Sequence, residues 1–213
     1  MNFDDFLKSI SKIENIPLPA EASQLKMVPG FRQELLRQQE KAIKSAKKAG
    51  VMALFFPNEN KETTLVLILR KTYSGVHSAQ VGFPGGKLED EDKSLKDAAV
   101  RETFEEIGVP MRDIKVVKSL TQVYIPPSNF YVYPFIGISR NTPNFIKQDD
   151  EVEAIIEVEL QHFLDDKQVV TKTVSASYSA EVEVPAFKLN NYVVWGATAM
   201  MLSEIKDLLK QML

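Results

Sequence analysis

Residues 82–109 read GFPGGKLEDEDKSLKDAAVRETFEEIGV and decide how the rest of the chain is interpreted. The stretch divides into a glycine turn, an acidic loop and a helix-forming segment. Ser94 is a good N-cap, and Gly108 followed by Pro110 is a good C-terminal stop. The sequence therefore predicts a helix over residues 94–107, entered from a tight turn.

This predicted helix has two faces. Its apolar residues recur at the spacing i, i+3, i+4 and i+7, which predicts a packing face made of Val100, Thr103, Phe104 and Ile107. Glu102, Glu105 and Glu106 fall on the opposite face, where like charges repel one another. A solvated acidic surface and a site for Mg²⁺, which prefers oxygen ligands, are both open interpretations. Arg101 could brace the glycine-rich loop through its carboxylates or carbonyls.

Composition limits the classes of partner. The 213 residues carry 26 Lys+Arg against 29 Asp+Glu, and a net charge of -3 disfavours broad binding to nucleic acid. Cysteine is absent, which fits a reducing compartment. The longest nearly apolar stretch, residues 192–202, is far shorter than the ~20 residues that cross a bilayer. We therefore expect a cytoplasmic protein with neither a membrane nor a nucleic acid as partner.

The first fifty residues differ from the remainder and predict a helical extension. Residues 3–13 have the pattern of a short amphipathic helix, and prolines then mark an irregular connector. Residues 31–48 lack Pro and Gly and predict a second helix that Gly50 would end. This helix is basic, and both a solvated surface and a surface for an anionic substrate or partner are open interpretations.

Strand-like runs rich in Val, Ile, Phe and Tyr follow the extension. They occupy residues 51–56, 64–70, 130–138, 151–158, 168–176 and 181–189. A final helix is predicted over residues 197–212. The mixed order of strands and helices predicts an α+β fold with a mixed sheet between helices, in one domain over residues 1–213. Residues 1–50 would form its extension and residues 51–213 its core.

The run GGKLEDED followed by RETFEEIGV resembles the Nudix box, the loop-helix signature of Nudix hydrolases. The second half matches at every specified position except Thr103, where an aliphatic residue is usual. The first half is one residue longer than the general pattern and carries Asp92 or Glu91 where Glu is expected. This spacing, together with the preceding FPGG, is similar to the coenzyme A diphosphatase branch of the family.

Other segments resemble the same branch. LVLILR ending at Arg70, followed by GVHSAQVGFPGG, is similar to its upstream motif, with Ala79 where Gly is usual and Gly75 where a second Arg is usual. Similar patches occur at residues 124–134, 150–152 and 195–199. The resemblance spans residues 51–201 and implies the Nudix fold, an α/β/α sandwich.

The resemblance also implies site residues. The implied ligands of Mg²⁺ or Mn²⁺ are Glu102, Glu105, Glu106 and a backbone carbonyl of the glycine turn, Gly86 being the choice. Arg101 would hold the loop. The general base is open between a box glutamate and the outside candidates Glu151 and Glu153, with Glu151 assigned to the catalytic set. The implied substrate-binding residues are Arg70, His77, Phe83, Gly85 and Gly86.

The implied reaction is hydrolysis of a nucleoside diphosphate linked to another moiety. The leading expectation is cleavage of coenzyme A or acyl-coenzyme A to 3′,5′-ADP and 4′-phosphopantetheine. Two alternatives are open: a diphosphatase for ADP-ribose or another nucleotide-sugar or dinucleotide, and a catalytically silent nucleotide-binding module. The expected partner is a small-molecule nucleotide, and the chain could form a homodimer.

Overall fold

The computed structural model describes residues 1–30, 43–71, 80–176 and 179–213, and every structural statement below concerns these ranges. Within them the strands of the larger sheet are β1 (Lys47–Pro57), β2 (Thr63–Arg70), β3 (Val81–Gly82), β4 (Gly85–Lys87), β5 (Ile114–Ser119), β6 (Val123–Ile125), β7 (Phe130–Ser139) and β8 (Val152–Glu159). A smaller sheet holds β9 (Val169–Ala176), β10 (Ser179–Leu189) and β11 (Tyr192–Val194).

The larger sheet is mixed. Its main path runs β3-β2-β1-β7-β5, with β4 also paired to β1, β6 to β7 and β8 to β2. β1 and β7 run parallel from the pair Lys47–Phe130 to the pair Phe55–Ile138, whereas the other described pairs are antiparallel. The predicted mixed sheet is confirmed, and several short strands were not predicted because two or three residues carry too little periodicity.

The helices are α1 (Phe3–Ile10), α2 (Ala20–Gln24), α3 (Leu95–Ile107), α4 (Leu160–Leu164) and α5 (Gly196–Met212). The predicted ends of α3 are confirmed. The Ser94 side chain accepts a hydrogen bond from the Asp97 backbone N–H, and Gly108 adopts a left-handed φ of 75°. None of these helices is both long and apolar enough to cross a membrane.

Helices cover both faces of the larger sheet. Side chains alternate along β1, so Met52, Leu54 and Phe56 pack in the cluster that includes α3. Ala53 and Phe55 pack in a second cluster, on the opposite face, with residues of α1 and α5. The predicted α/β/α sandwich is therefore confirmed.

The predicted helix over residues 31–48 lies largely outside the described residues, but its predicted end is wrong. Lys47 already belongs to β1, and Gly50 lies inside that strand. The reason is tertiary: a Cβ at Gly50 would lie 2.0 Å from the Leu95 backbone oxygen. Gly50 thus permits the close approach of α3 to the sheet instead of ending a helix.

The N-terminal segment contributes to the core of the domain. The Phe3 N–H donates to the Lys61 carbonyl over 2.8 Å, and the Thr63 N–H donates to the Met1 carbonyl over 2.8 Å. Phe6 is fully buried, with its ring centroid 5.2 Å from that of Phe55. We therefore expect α1 to fold together with the sheet.

Replacing Phe6 by Ala is expected to lower the free energy of unfolding by about 4 kcal/mol, because it opens a cavity between α1 and β1. Chemical denaturation followed by circular dichroism measures this loss. Phe104→Ala is the matched control, since 47% of Phe104 is exposed and its removal should cost under about 1 kcal/mol. Equal losses in the two variants would contradict the assignment of α1 to the core.

Candidate active site

The site lies where the glycine turn, α3 and the end of β2 meet. β4 pairs with β1 through Gly85 and Gly86, which brings the turn against α3. Arg70 is the last residue of β2 and reaches both the turn and the helix. Predicted residues separated by more than thirty positions in sequence are thereby gathered at one end of the sheet.

Glu106 lies on the buried face of α3, so its predicted position on an exposed acidic face is wrong. It is 1% exposed, whereas Phe104, predicted to pack, is 47% exposed. Thr103, which was predicted to pack, is buried, and its hydroxyl is satisfied there because it donates to the Ala99 carbonyl over 2.6 Å. The helix is rotated relative to the prediction because Glu106 has polar partners in the interior. Hydrophobic periodicity does not detect such partners.

Those partners are Gly85 and Arg70. The Gly85 N–H donates to Glu106 Oε2 over 2.8 Å, and Arg70 Nη1 lies 3.1 Å from Oε1. Oε1 is buried, and no described group makes a hydrogen bond of good geometry to it. Burial raises the pKa of Glu106 to about 7, Arg70 and the Gly85 N–H oppose that rise, and the charges of Glu102 and Glu151 add to it. Burial thus disfavours the charged form of Glu106, and a further positive charge nearby would stabilise that form.

Arg70 acts as a clamp in this arrangement. Its Nη2 donates to the Gly85 carbonyl over 2.8 Å, while Nη1 faces Glu106. The guanidinium therefore holds the glycine turn against α3, and its predicted contact with substrate remains a prediction.

The other predicted substrate-binding residues have different fates. Phe83 is 3% exposed and packs in the cluster with α1 and α5. The ring of Phe83 thus belongs to the core, and its predicted contact with substrate stays a prediction. His77, Ala79 and Gly75 lie outside the described residues.

Glu102 lies directly beneath the glycine turn. A Cβ at Gly86 would stand 2.1 Å from Glu102 Oε1, so only glycine lets the turn approach this carboxylate. Burial raises the pKa of Glu102, while Arg101, 3.2 Å away, lowers it. Glu102 and Glu106 thus face the same turn, one through Gly86 and the other through Gly85.

Arg101, predicted to brace the glycine-rich loop, makes most of its loop contacts with the acidic loop that follows it. Its Nε and Nη2 donate to the two Asp92 carboxylate oxygens over 3.1 and 3.0 Å. Nη2 also donates to the Lys87 carbonyl over 3.1 Å, and Nη1 donates to Glu105 Oε2 over 2.8 Å. Asp92, and not the exposed Glu91, is therefore the acidic partner in the lengthened loop. Glu105 is half-exposed and turned toward Arg101.

Replacing Asp92 by Asn should lower the free energy of unfolding by about 2 kcal/mol at neutral pH, because Arg101 loses one of the two acceptor oxygens and the negative charge that strengthens both hydrogen bonds. The Arg101 hydrogen bonds hold the pKa of Asp92 below its ordinary value of 3.8. A carboxyl group whose pKa is lower in the folded state stabilises that state at pH values above its unfolded pKa. This stabilisation is lost as the pH falls through the folded pKa. Chemical denaturation of both proteins at several pH values, from roughly 2 to roughly 7, measures the difference in their free energies of unfolding.

Glu91→Gln is the control for this variant, since Glu91 neighbours Asp92 but is exposed. It should change stability by less than about 0.5 kcal/mol. A loss at Glu91 equal to that at Asp92 would contradict the pairing of Asp92 with Arg101.

Glu151 comes close to the box glutamates from another part of the chain. It precedes β8, and its carbonyl accepts a hydrogen bond from the Lys71 N–H over 2.8 Å. The β2–β8 register shifts between Leu69 and Arg70, and this irregularity sets the position of the strand start beside Arg70. The charge of Glu151 raises the pKa of both Glu102 and Glu106. Glu153 lies within β8 and is exposed.

Sequence reasoning missed Gln148, which holds the loop that carries Glu151. Its side-chain Oε1 accepts hydrogen bonds from the N–H groups of Asp150 and Glu151. A single Gln in a loop has no periodicity or spacing that marks it, so no sequence signal could have found it.

The fit of this site to a divalent cation rests on its donors. In the described ranges, no three Asp, Glu or His side chains converge closely enough to hold a metal ion. The carboxylates are instead turned toward arginines, with Glu102 and Glu105 facing Arg101 and Glu106 facing Arg70. The donor chemistry nevertheless suits a hard cation, because all donors are oxygens and Glu106 Oε1 is buried without a hydrogen bond.

Known proteins resemble this chain in sequence. The family model described as the NUDIX domain matches residues 46–176, more than half of the chain. A Caenorhabditis elegans protein named peroxisomal coenzyme A diphosphatase ndx-8 is 29% identical over 155 residues, covering 72% of this chain and 64% of that protein. An Arabidopsis thaliana protein named Nudix hydrolase 15, mitochondrial, is 31% identical over 158 residues, covering 72% and 55%. The matches thus span less than two thirds of either relative.

Solved structures resemble it in fold. The Nudix hydrolase RenU of M. smegmatis superimposes with a TM-score of 0.55 over 79% of this chain and 88% of that chain, at 13% identity. At such identity the likeness concerns the fold alone. The family match covers β1, the glycine turn and α3, the elements that build the site described above. This chain therefore belongs to the Nudix family.

Proposed function

We propose that the chain is a divalent-cation-dependent hydrolase of a nucleoside diphosphate linked to another moiety, with coenzyme A or an acyl-coenzyme A as substrate. The observation that carries the proposal is the state of Glu106. A carboxylate is buried against Gly85 and Arg70 with one oxygen lacking a hydrogen bond. Arg70 offsets part of the cost of burying this anion, but it makes no hydrogen bond of good geometry to Oε1, and a bound divalent cation would supply the further positive charge.

Glu102 and Glu106 would hold the cation, Mg²⁺ or Mn²⁺, with Glu105 and the Gly86 carbonyl as further oxygen donors. A bound cation of this kind neutralises diphosphate charge and lowers the pKa of a bound water. Glu105 must leave Arg101 to take part, which its half-exposed position permits.

The remaining residues have distinct tasks. Glu151 accepts a proton from the water that attacks phosphorus, as the bond between that phosphorus and the bridging oxygen breaks. Glu151 is preferred to Glu153 because its charge acts on both box glutamates. Arg101 and Arg70 hold the acidic loop and the glycine turn, so the donors keep their positions during the reaction.

The proposed substrate rests on two supports. The lengthened box preceded by FPGG is similar to the coenzyme A diphosphatase branch, and one relative bears that activity in its name. Hydrolysis would yield 3′,5′-ADP and 4′-phosphopantetheine. The cytoplasmic location stays a prediction, since the named relatives are described as peroxisomal and mitochondrial. The homodimer stays a prediction as well.

Incubation with Mg²⁺ or Mn²⁺ and a panel of coenzyme A, acetyl-coenzyme A, ADP-ribose, NADH and diadenosine polyphosphates tests the proposal, with products identified by mass spectrometry. We expect 3′,5′-ADP from coenzyme A and no turnover after chelation of the cation. Cleavage of ADP-ribose without cleavage of coenzyme A would overturn the substrate and keep the reaction. Inertness toward the whole panel would favour a silent nucleotide-binding module.

A further inference from the structure

The loop between β7 and β8 is fastened to the C-terminal end of α3. The Ile146 N–H donates to the Ile107 carbonyl, and the Gln148 N–H donates to the Glu106 carbonyl, each over 3.0 Å. These bonds satisfy two of the last carbonyls of the helix, which have no partner within it. The backbone of Gln148 is therefore fixed to the same residue whose side chain lies at the centre of the site.

The side chain of Gln148 then fixes the residues that follow. Its Oε1 accepts from the Asp150 N–H over 2.8 Å and from the Glu151 N–H over 2.7 Å. Its own carbonyl accepts from the Val152 N–H over 3.0 Å. Because the Glu151 carbonyl is held by the Lys71 N–H, the backbone of Glu151 is tied on both sides.

We propose that Gln148 is a positioning residue that holds Glu151 at a fixed place relative to Glu106 on α3. This inference rests on the proposed function, because it assigns Gln148 a task in the proton transfer that Glu151 would perform. Glu151 and the two residues before it, Asp149 and Asp150, are exposed, so packing restrains the chain only on the side of the buried Val152. The hydrogen bonds of the Gln148 side chain restrain the other side.

The chemistry of the side chain explains why Gln suits this position. One amide oxygen accepts two N–H groups, and a neutral acceptor adds no charge beside Glu151 and Glu106. Met has nearly the same length but lacks a strong acceptor, so Gln148→Met removes the hydrogen bonds while leaving most of the volume. Gln148→Glu keeps an oxygen acceptor and serves as the conservative variant.

Steady-state kinetics with the proposed substrate provides the first test. We expect Gln148→Met to lower kcat about tenfold to hundredfold with KM within about twofold of wild type, since misplacement of a reacting group affects the chemical step. Gln148→Glu should recover part of that kcat, because it restores the oxygen acceptor but adds a negative charge beside Glu151. Gln211→Met, at an exposed position of α5, is the matched control and should behave as wild type.

A double-mutant cycle with Glu151→Gln separates positioning from a general structural effect. Glu151→Gln alone should lower kcat about hundredfold or more. If Gln148 acts through Glu151, adding Gln148→Met to Glu151→Gln should lower kcat by no more than about twofold further. An equal loss in both backgrounds, or a Gln148→Met variant as active as wild type, would overturn the inference while the proposed function stands.

Amide hydrogen exchange measured by NMR without substrate tests the contact independently of activity. The Asp150 and Glu151 amides should exchange about tenfold faster in Gln148→Met and not in Gln148→Glu. Unchanged exchange would overturn the inference. A wild-type protein inert toward every diphosphate would overturn the proposed function, and with it the positioning role of Gln148 in the reaction, even where the exchange result confirms the contact.

Discussion

Replacing Glu106 by Gln is expected to lower kcat about a thousandfold while the protein stays folded. The side chain keeps its size and still offers an oxygen to the Gly85 N–H, but it loses the charge that faces Arg70 and would bind the cation. Loss of several kcal/mol of transition-state stabilisation corresponds to about that factor. The measurement is kcat at saturating cation, with circular dichroism confirming the fold.

Glu204→Gln is a matched control for this variant. Glu204 is as deeply buried as Glu106 but lies on α5, where it accepts hydrogen bonds from Gln24 Nε2 over 3.0 Å and Thr121 Oγ1 over 2.6 Å. Its kcat should stay within about twofold of wild type, because no reacting group contacts it. A Glu106→Gln enzyme that kept more than about a tenth of wild-type kcat would contradict the role of Glu106.

The boundaries of α3 could be predicted because the signals are local. Ser94 and Gly108 act through hydrogen bonds within a few residues of themselves, so their effect is visible in sequence. The loop between β1 and β2 carries a local signal of the same kind. Asn58 accepts hydrogen bonds from the Asn60 and Glu62 N–H groups inside the connecting loop.

The orientation of α3 could not be predicted because distant residues determine it. Apolar periodicity placed Phe104 inside and Glu106 outside, yet the interior offers Arg70 and the Gly85 N–H to a carboxylate. Gly50 shows the same limit, since glycine suits both a helix end and a strand beneath a close helix. Pairing of β1 with β7 and the proximity of Leu95 decide between them.

The candidate site was predictable in its residue types and less so in its contacts. The box pattern singled out Glu102, Glu105, Glu106 and Arg101, but it left open whether Asp92 or Glu91 is the acidic residue of the lengthened loop. Only the path of the acidic loop places Asp92 against the guanidinium. The predicted use of these residues in catalysis is tested by substitution and not by geometry.

Replacing Gly85 and Gly86 by Ala, one at a time, should give opposite results. Gly85 has a φ of 149°, and its added Cβ would lie 2.3 Å from the Gly50 carbonyl oxygen and 2.6 Å from the Val51 Cα. Those atoms are backbone and cannot rotate away, so β4 must shift from β1 and stability should fall by about 3 kcal/mol. At Gly86 the three heavy atoms nearest to the added Cβ would all belong to the Glu102 carboxylate.

A carboxylate at the end of a flexible side chain can move, so Gly86→Ala should lose under about 1 kcal/mol of stability but about a hundredfold in kcat, since Glu102 leaves the turn. Gly82→Ala is the control, because its nearest neighbour, Thr198 Oγ1, would be 3.8 Å from the new Cβ. Denaturation midpoints and kcat measured for all three variants separate backbone strain from displacement of Glu102. Equal stability losses in Gly85→Ala and Gly86→Ala would contradict the expected movement of the Glu102 side chain away from the new Cβ. A Gly86→Ala enzyme with wild-type kcat would contradict the proposed role of Glu102 in the reaction.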